Sequence, residues 1–267
     1  MKRSLLFCAV FIFCITGISL AQERIVVAGT GDSQELLRVL ASAFEKVNPG
    51  KKVEVPYSVG SSGGIRLVRE GGCDLGRLAR PLNDKEKKYG LNYEVFAYSP
   101  VALAVNPGVK GIDNIVPEQI VGIFSGVITS WGELGGQKQK IYVVQREKGD
   151  SSRIMLEANI PGWKEIKDLS GEVVYTTPEV VSALVEHQDS IGYLPLSMAK
   201  SSGLTVLRIG GVYPSVENVK NGTYKLTIPF SLIWKGELEG LARTFVDFIL
   251  SPEGQGIIAE NGAVPAK

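Results

Sequence analysis

The sequence predicts an α/β protein of two blocks, each a mainly parallel sheet flanked by helices, with a ligand cleft between them. Three observations carry this. The first block reads strand, helix, strand, helix, strand, an order that implies parallel pairing. A second run of the same kind follows the strongly apolar strand Val101–Val105. Three loops rich in Gly, Ser, Thr and Asp also run directly into amphipathic helices: Gly29-Thr30-Gly31-Asp32-Ser33, Gly60-Ser61-Ser62-Gly63-Gly64, and Arg146-Glu147-Lys148-Gly149-Asp150-Ser151-Ser152-Arg153.

Residues 1–21 read as a secretion signal. Lys2 and Arg3 form a positive end, Leu5 to Leu20 is apolar, and Ser19-Leu20-Ala21 fits the small-x-small cleavage rule, so the exported chain is expected to begin at Gln22. The apolar run is short for a membrane span, which needs ~20 apolar residues. Its removal takes Cys8 and Cys14 and leaves Cys73 alone, so no internal disulfide is expected and the core must hold the fold. It also leaves 27 basic against 28 acidic residues, a formal charge of −1. That balance offers no general field for nucleic acid, so any anion specificity has to be local.

Within the exported chain, Arg24 to Val27 reads as a short buried strand. Leu36, Leu37, Leu40, Phe44 and Val47 recur at helical spacing until Asn48-Pro49-Gly50 ends the helix. Lys52 to Val59 alternates like a strand and feeds the second loop, with a helix expected over Ile65 to Glu70 and a strand over Cys73 to Leu75. In the second block the pattern predicts a helix over Pro117 to Phe124, a strand over Ile141 to Val144, a helix over Arg153 to Ala158, a helix over Pro178 to Glu186 and a strand over Ser190 to Leu194. Lys225 to Trp234 is another long apolar strand. Leu238 to Leu250 is an amphipathic helix, and Ser251-Pro252-Glu253-Gly254 starts a last one. No heptads, internal repeats or low-complexity tracts interrupt this order.

The three loops suggest an anion seat. A helix start presents unpaired N–H groups and roughly half a positive charge, glycine lets backbone approach a ligand, and hydroxyls add donors. Arginine supplies a fork that matches phosphate oxygens. The candidate ligand-binding residues are Thr30, Gly31 and Asp32 in the first loop, Ser61, Ser62 and Gly63 in the second, and Arg146, Asp150, Ser151 and Ser152 in the third.

Sequence motifs along almost the whole exported chain are similar to those of the phosphate-binding proteins that serve bacterial ABC importers. They include Gly60-Ser61-Ser62-Gly63-Gly64-Ile65, Asp74-Leu75-Gly76 to Arg80-Pro81-Leu82, Ile123-Phe124-Ser125-Gly126 with Ile128-Thr129-Ser130-Trp131, Arg146-Glu147-x-Gly149, Ile191-Gly192-Tyr193, Glu217-Asn218-Val219 to Gly222-Thr223-Tyr224, and Ser251-Pro252-Glu253-Gly254-Gln255. The resemblance implies the type II periplasmic binding-protein fold, with two lobes. Residues 22–102 and 195–267 would form one lobe and residues 103–194 the other, with Val101–Val105 and Lys225–Trp234 near the hinge. It further implies a monomeric, extracytoplasmic receptor without enzymatic activity, cofactor or metal, which hands inorganic phosphate or a close tetrahedral oxyanion to a membrane permease. The family's serine and backbone amides of the second loop map onto Ser61, Ser62 and Gly63, and its clamping arginine onto Arg146.

The departures concern charge. The family's third loop continues Gly-Ser-Gly-Thr, whereas here it reads Gly149-Asp150-Ser151-Ser152, and a Ser-Thr-Thr pattern in the first loop is replaced by Thr30-Gly31-Asp32. Where some members place a phosphate-contacting aspartate, this chain has Leu78 and Ala79, after Arg77. An ionised aspartate repels a bare oxyanion but accepts the O–H of a protonated one. Asp150 or Asp32 would then read the ligand's proton, favouring phosphate over sulfate. Both can equally serve as helix caps, Asp32 in the capping-box pattern Asp32-Ser33-Gln34-Glu35 and Asp150 ahead of Arg153. Asp74 reads as structural.

Two alternatives remain from residues alone. The same fold could serve as an oxyanion or organic-acid sensor. Gly60-Ser61-Ser62-Gly63-Gly64 also has the letters of a nucleophile elbow, with Ser62 as nucleophile and His187, the only histidine, as its base. One histidine and one remaining cysteine exclude a typical zinc site, and no Gly-x-x-x-x-Gly-Lys loop is present for nucleotides.

Overall fold

A computed structural model of the chain describes residues 23–267, so the expected secretion signal lies outside the described residues. The first block runs β1 (Glu23–Gly29), α1 (Gln34–Val47), β2 (Lys51–Glu54), α2 (Gly60–Glu70), β3 (Leu75–Leu78) and the short α3 (Asp84–Lys87). A strand of 15 residues, β4 (Leu91–Val105), leads into β5 (Asn114–Ile115), α4 (Pro117–Phe124), β6 (Tyr142–Arg146), α5 (Ser151–Asn159), β7 (Glu172–Val174), α6 (Thr177–Glu186) and β8 (Ser190–Pro195). The chain closes with α7 (Leu196–Ser201), β9 (Thr205–Val206), β10 (Arg208–Ile209), α8 (Val216–Lys220), β11 (Thr227–Lys235), α9 (Gly240–Leu250), α10 (Pro252–Glu260) and β12 (Val264–Pro265).

The α/β class holds, but the sheet is mixed rather than mainly parallel. Its main path is β2-β1-β3-β11-β4-β8-β6-β7. The pairs β1–β2, β1–β3, β6–β8 and β6–β7 are parallel, as the strand–helix alternation requires. Strand β11, returning from beyond the second block, runs antiparallel to both β3 and β4. The long β4 joins the blocks: Leu91 to Pro100 pair with β11, and Val101 to Val105 pair with β8. A separate two-stranded sheet pairs β10 with β5.

Hydrophobic spacing explains the helices. The face Leu36, Leu37, Leu40 and Phe44 of α1 is at most 2% exposed, and Phe44 meets Phe245 edge-on at 5.3 Å between ring centroids. Fully burying each such side chain stabilises by about 1.5–3 kcal/mol, and Phe44→Ala alone should cost about 3–5 kcal/mol. In the second block Phe124, Trp163 and Tyr193 pack together under the end of β6.

Several element bounds differ from the sequence reading. Strand β2 stops at Glu54, because Pro56 has no N–H to continue a ladder. Helix α2 begins at Gly60, so Ser61, Ser62 and Gly63 lie inside its first turn instead of in a loop before it. Strand β3 lies at Leu75–Leu78, later than expected, and carries Arg77 inward. Helix α5 starts at Ser151, two residues earlier than expected. Gly29 ends β1 at φ +146°, and a Cβ there would meet Arg77 O at 2.1 Å. A Cβ on Gly64 would lie 2.9 Å from Gly29 Cα and 3.0 Å from Ala28 O, which seats the start of α2 directly against the end of β1.

Candidate functional site

The three loops do converge. Thr30, Asp32, Ser61, Ser62, Arg146, Asp150 and Ser151 line one cavity of about 180 Å³, with Val59, Gly60, Arg80, Glu147, Gly149 and Tyr175 completing its wall. The other three candidates stand outside the lining. Gly31 allows close approach: a Cβ there would lie 2.7 Å from Pro178 Cδ at the start of α6. Gly63 packs against Val59 within the first turn of α2. Ser152 is fully buried, and its hydroxyl has no hydrogen-bond partner among the described residues.

Arg77 shapes the first wall. Fully buried in β3, its Nε donates to Thr30 O at 2.6 Å, and its terminal nitrogens donate to Val27 O, to Gln34 Oε1 at 3.2 Å and to Pro56 O at 2.8 Å. Burial, with Arg38 adding to it, pulls its pKa down to about 10, which leaves it cationic at neutral pH. Every acceptor is a neutral oxygen, so Arg77 is a brace for the first two loops and not a ligand arginine. Asp74 is structural too: it accepts from Val26 N at 2.7 Å.

Asp32 is not the cap of α1. Ser33 occupies that position, without a side-chain cap bond. The Asp32 carboxylate, 2% exposed, instead accepts from Thr30 Oγ1 at 3.3 Å and from Thr177 Oγ1 at 2.5 Å. Thr177 opens α6, a fourth helix start at the site, signalled in the sequence by Thr176-Thr177-Pro178-Glu179, where Thr176 and Glu179 form a capping box.

The second loop offers the start of α2. Its first-turn amides have no acceptor within the helix, and Val59 at the cap position supplies no side-chain oxygen. Ser62 Oγ accepts from Arg80, whose guanidinium also grips Glu86 through both terminal nitrogens at 2.7 and 2.9 Å. Ser61 Oγ accepts from Ala79 N at 3.3 Å.

On the opposite wall, β6 ends at Arg146, whose N–H donates to Tyr193 Oη at 3.0 Å. The guanidinium is buried, not paired with Glu147 or Glu157 on the surface. It donates to Thr177 Oγ1 at 3.0 Å and to Tyr175 O at 3.1 Å, and its NH2 lies 2.8 Å from Asp150 Oδ2. Its Nε is buried without a hydrogen-bond partner among the described residues. Of the two roles expected of Asp150, the cap is present. Its Oδ1 caps α5 by accepting from Arg153 N at 2.9 Å, while Oδ2 faces Arg146. Burial pushes its pKa up to about 6 against the pull of Arg146, and the charge of Asp32 raises it further. Arg153 braces the loop by donating to Arg146 O and Glu157.

The hydrolase arrangement is not assembled. Ser62 sits in a regular helical turn rather than on a strained elbow, and no non-glycine residue among those described has positive φ. His187 caps the end of α6 and stacks on Tyr142 at 3.6 Å in a separate surface concavity that does not include Ser62. Among the described residues no group of three His, Cys, Asp or Glu side chains is placed to hold a metal ion.

An α/β fold with helix starts, hydroxyls and a buried arginine around one small cavity defines an anion-binding protein. Residues 17–253 match the PBP superfamily domain, and the chain belongs to that superfamily. It is similar to the phosphate-binding protein PstS of Bacillus subtilis, at 29% identity over 250 residues, covering 92% of this chain and 81% of that protein. A solved Clostridium perfringens protein with bound phosphate is 30% identical, with a TM-score of 0.79 and coverage of 92% and 100% of the two chains. An ABC-type phosphate transport receptor from Vibrio cholerae aligns at 26% identity with a TM-score of 0.63, covering 90% and 99%.

Proposed function

We propose that this chain is a PstS-like receptor that captures inorganic phosphate in the cavity and delivers it to an ABC importer. The observation that carries this reading is Arg146: a buried guanidinium with one N–H unsatisfied, on the wall of a cavity faced by the start of α2 and by the hydroxyls of Thr30, Ser62 and Ser151. A buried donor left unpaired costs about 1–3 kcal/mol, which an oxyanion would recover. Relatives named as phosphate-binding proteins span almost the whole chain, which agrees with the site chemistry.

Closure of two lobes on the ligand would be the working motion. Residues 22–102 and 195–267 form one lobe and residues 103–194 the other, with β9 and β10 hydrogen-bonded back to β4 and β5 of the second block. The switch of β4 from pairing with β11 to pairing with β8 at Pro100–Val101 supports a hinge there. The ligand bridges Thr30 and Ser62 on one lobe and Arg146 on the other. Among the described residues no helix is long and apolar enough to cross a membrane. Together with the secretion-signal pattern of residues 1–21, this supports an extracytoplasmic receptor.

Calorimetric titration of phosphate into protein refolded from denaturant, with sulfate in parallel, tests the reading. One-to-one phosphate binding with a much weaker sulfate response is expected. An absent phosphate response would overturn it.

A further inference from the structure

Arg80 lines the anion cavity just beyond the end of β3, with its side chain 21% exposed. Its guanidinium is fixed from behind. Glu86 accepts from Nη1 at 2.7 Å and from Nη2 at 2.9 Å, and is itself held by the capping box with Asn83 at the start of α3. The second Nη1 hydrogen goes to Pro81 O at 3.0 Å, and the second Nη2 hydrogen to Ser62 Oγ at 3.1 Å. Both terminal nitrogens are therefore spent, and neither has an N–H left for a ligand. The Arg80–Glu86 pair carries no net charge, so little of the guanidinium's field remains for the cavity. What Arg80 does reach is Ser62, on the same wall at the start of α2. Ser62 Oγ accepts in that bond, which leaves its own proton free. Among the described residues the hydroxyl makes no bond to a carbonyl one turn back, the usual competitor for a serine within a helix.

We propose, building on the phosphate reading above, that Arg80 is a positioning residue for the anion: it holds the Ser62 oxygen, so that the hydroxyl proton turns into the cavity as a donor to a phosphate oxygen. A hydroxyl that accepts from a guanidinium is also polarised, and donates more strongly through its own O–H. The chain of contacts runs from the Asn83 cap through Glu86 and Arg80 to Ser62, and each member fixes the next. The start of α3 thereby sets the direction of a hydroxyl on α2. Arg80 and Arg146 then serve the ligand differently. Arg146 has an unpaired N–H of its own, whereas Arg80 acts only through the serine it holds.

Calorimetric titration of phosphate into wild type, Arg80→Met, Ser62→Ala and the double variant tests this as a cycle. Ser62→Ala should weaken binding about thirtyfold and Arg80→Met about tenfold. The double variant should bind as Ser62→Ala does, about thirtyfold weaker than wild type and not about three-hundredfold. The Arg80→Met loss should also be the same at about 0.05 M and about 0.5 M sodium chloride, because a direct hydrogen bond is not screened as a field is. Arg80 lies outside the buried core, and Arg80→Gln takes the place of Arg80→Met if that variant does not fold. Losses that multiply in the double variant would mean that Arg80 acts independently of Ser62, and would overturn the positioning role. A loss that fades with salt would do the same, since charge alone would then account for it, and so would unchanged affinity in the Arg80 variant. Each of these leaves the receptor reading intact, whereas no phosphate binding by wild type would overturn both.

Discussion

Arg77 gives the sharpest stability test. Replacing it with methionine keeps most of the side-chain volume in β3 but removes the donors to Thr30 O, Val27 O, Pro56 O and Gln34 Oε1. Hydrogen bonds to a charged group contribute about 1.5–3 kcal/mol each, and a buried acceptor left unpaired costs about 1–3 kcal/mol. Against this stands the desolvation cost of the guanidinium, which the methionine does not incur and which already shows as the lowered pKa. The balance is an expected loss of about 3–5 kcal/mol, the size seen when one side of a buried charged network is removed. Urea unfolding followed by tryptophan fluorescence would show it as a fall in midpoint of about 1–2 M, taking a slope of ~2–3 kcal/mol/M. Arg77→Lys, which keeps the charge and loses the fork, should fall between the two. Because Thr30 and Pro56 precede the first two walls of the cavity, phosphate affinity should also weaken about tenfold or more in variant that is still folded. A methionine variant within about 0.5 kcal/mol of wild type would refute the reasoning, since the brace would then contribute no more than its burial costs.

Three further outcomes follow from the same contacts. Arg146→Lys keeps a charge but cannot present a fork, so phosphate affinity should drop about tenfold, and about a hundredfold in Arg146→Ala, by titration. Thr177→Val is nearly isosteric and severs the bridge from Asp32 to Arg146; about 2 kcal/mol should be lost, seen as a Tm lower by about 4–8 °C. Glu86 has its carboxyl held below the usual range, first by the hydrogen bonds from Arg80. Its contribution is therefore complete above the unfolded carboxylate value of about 4.3 and is lost as pH falls through the depressed folded value. The stability gap between wild type and Glu86→Gln should shrink between about pH 7 and about pH 3, and a gap independent of pH would contradict the Arg80 pairing.

The residues that were legible in the sequence are those whose role is local. The faces of α1 and α9 announce themselves through spacing, and Asp150 through its position before Arg153. Sequence reading failed where a distant partner decides. The first part of β4, Leu91 to Tyr98, carries mostly half-exposed side chains and shows no apolar run, yet β11 pairs with it along its whole length. Glycine and serine are weak helix formers, so Gly60 to Gly64 reads as a loop. The close seat of Gly64 on β1 makes it helix. Asp32 carries a capping pattern, and Thr177, 145 residues away, takes its carboxylate. Nothing local in the sequence marks Arg77 as buried, because the carbonyls that hold it come from segments far apart in the chain.

The two buried arginines separate structure from function within one site. Arg77 meets neutral oxygens at every nitrogen and no carboxylate, so nothing remains for a ligand to satisfy, and its removal should act first on stability. Arg146 is the reverse: one N–H is unpaired and another is held by a carboxylate whose own ionisation is disfavoured by burial. A buried ion pair is weak evidence for stability, because desolvation offsets most of its attraction. Asp150 also caps α5, and Arg146 also donates to Thr177 Oγ1 and Tyr175 O, so the pair ties β6 to the starts of α5 and α6 while one Arg146 N–H stays unmatched on the cavity wall.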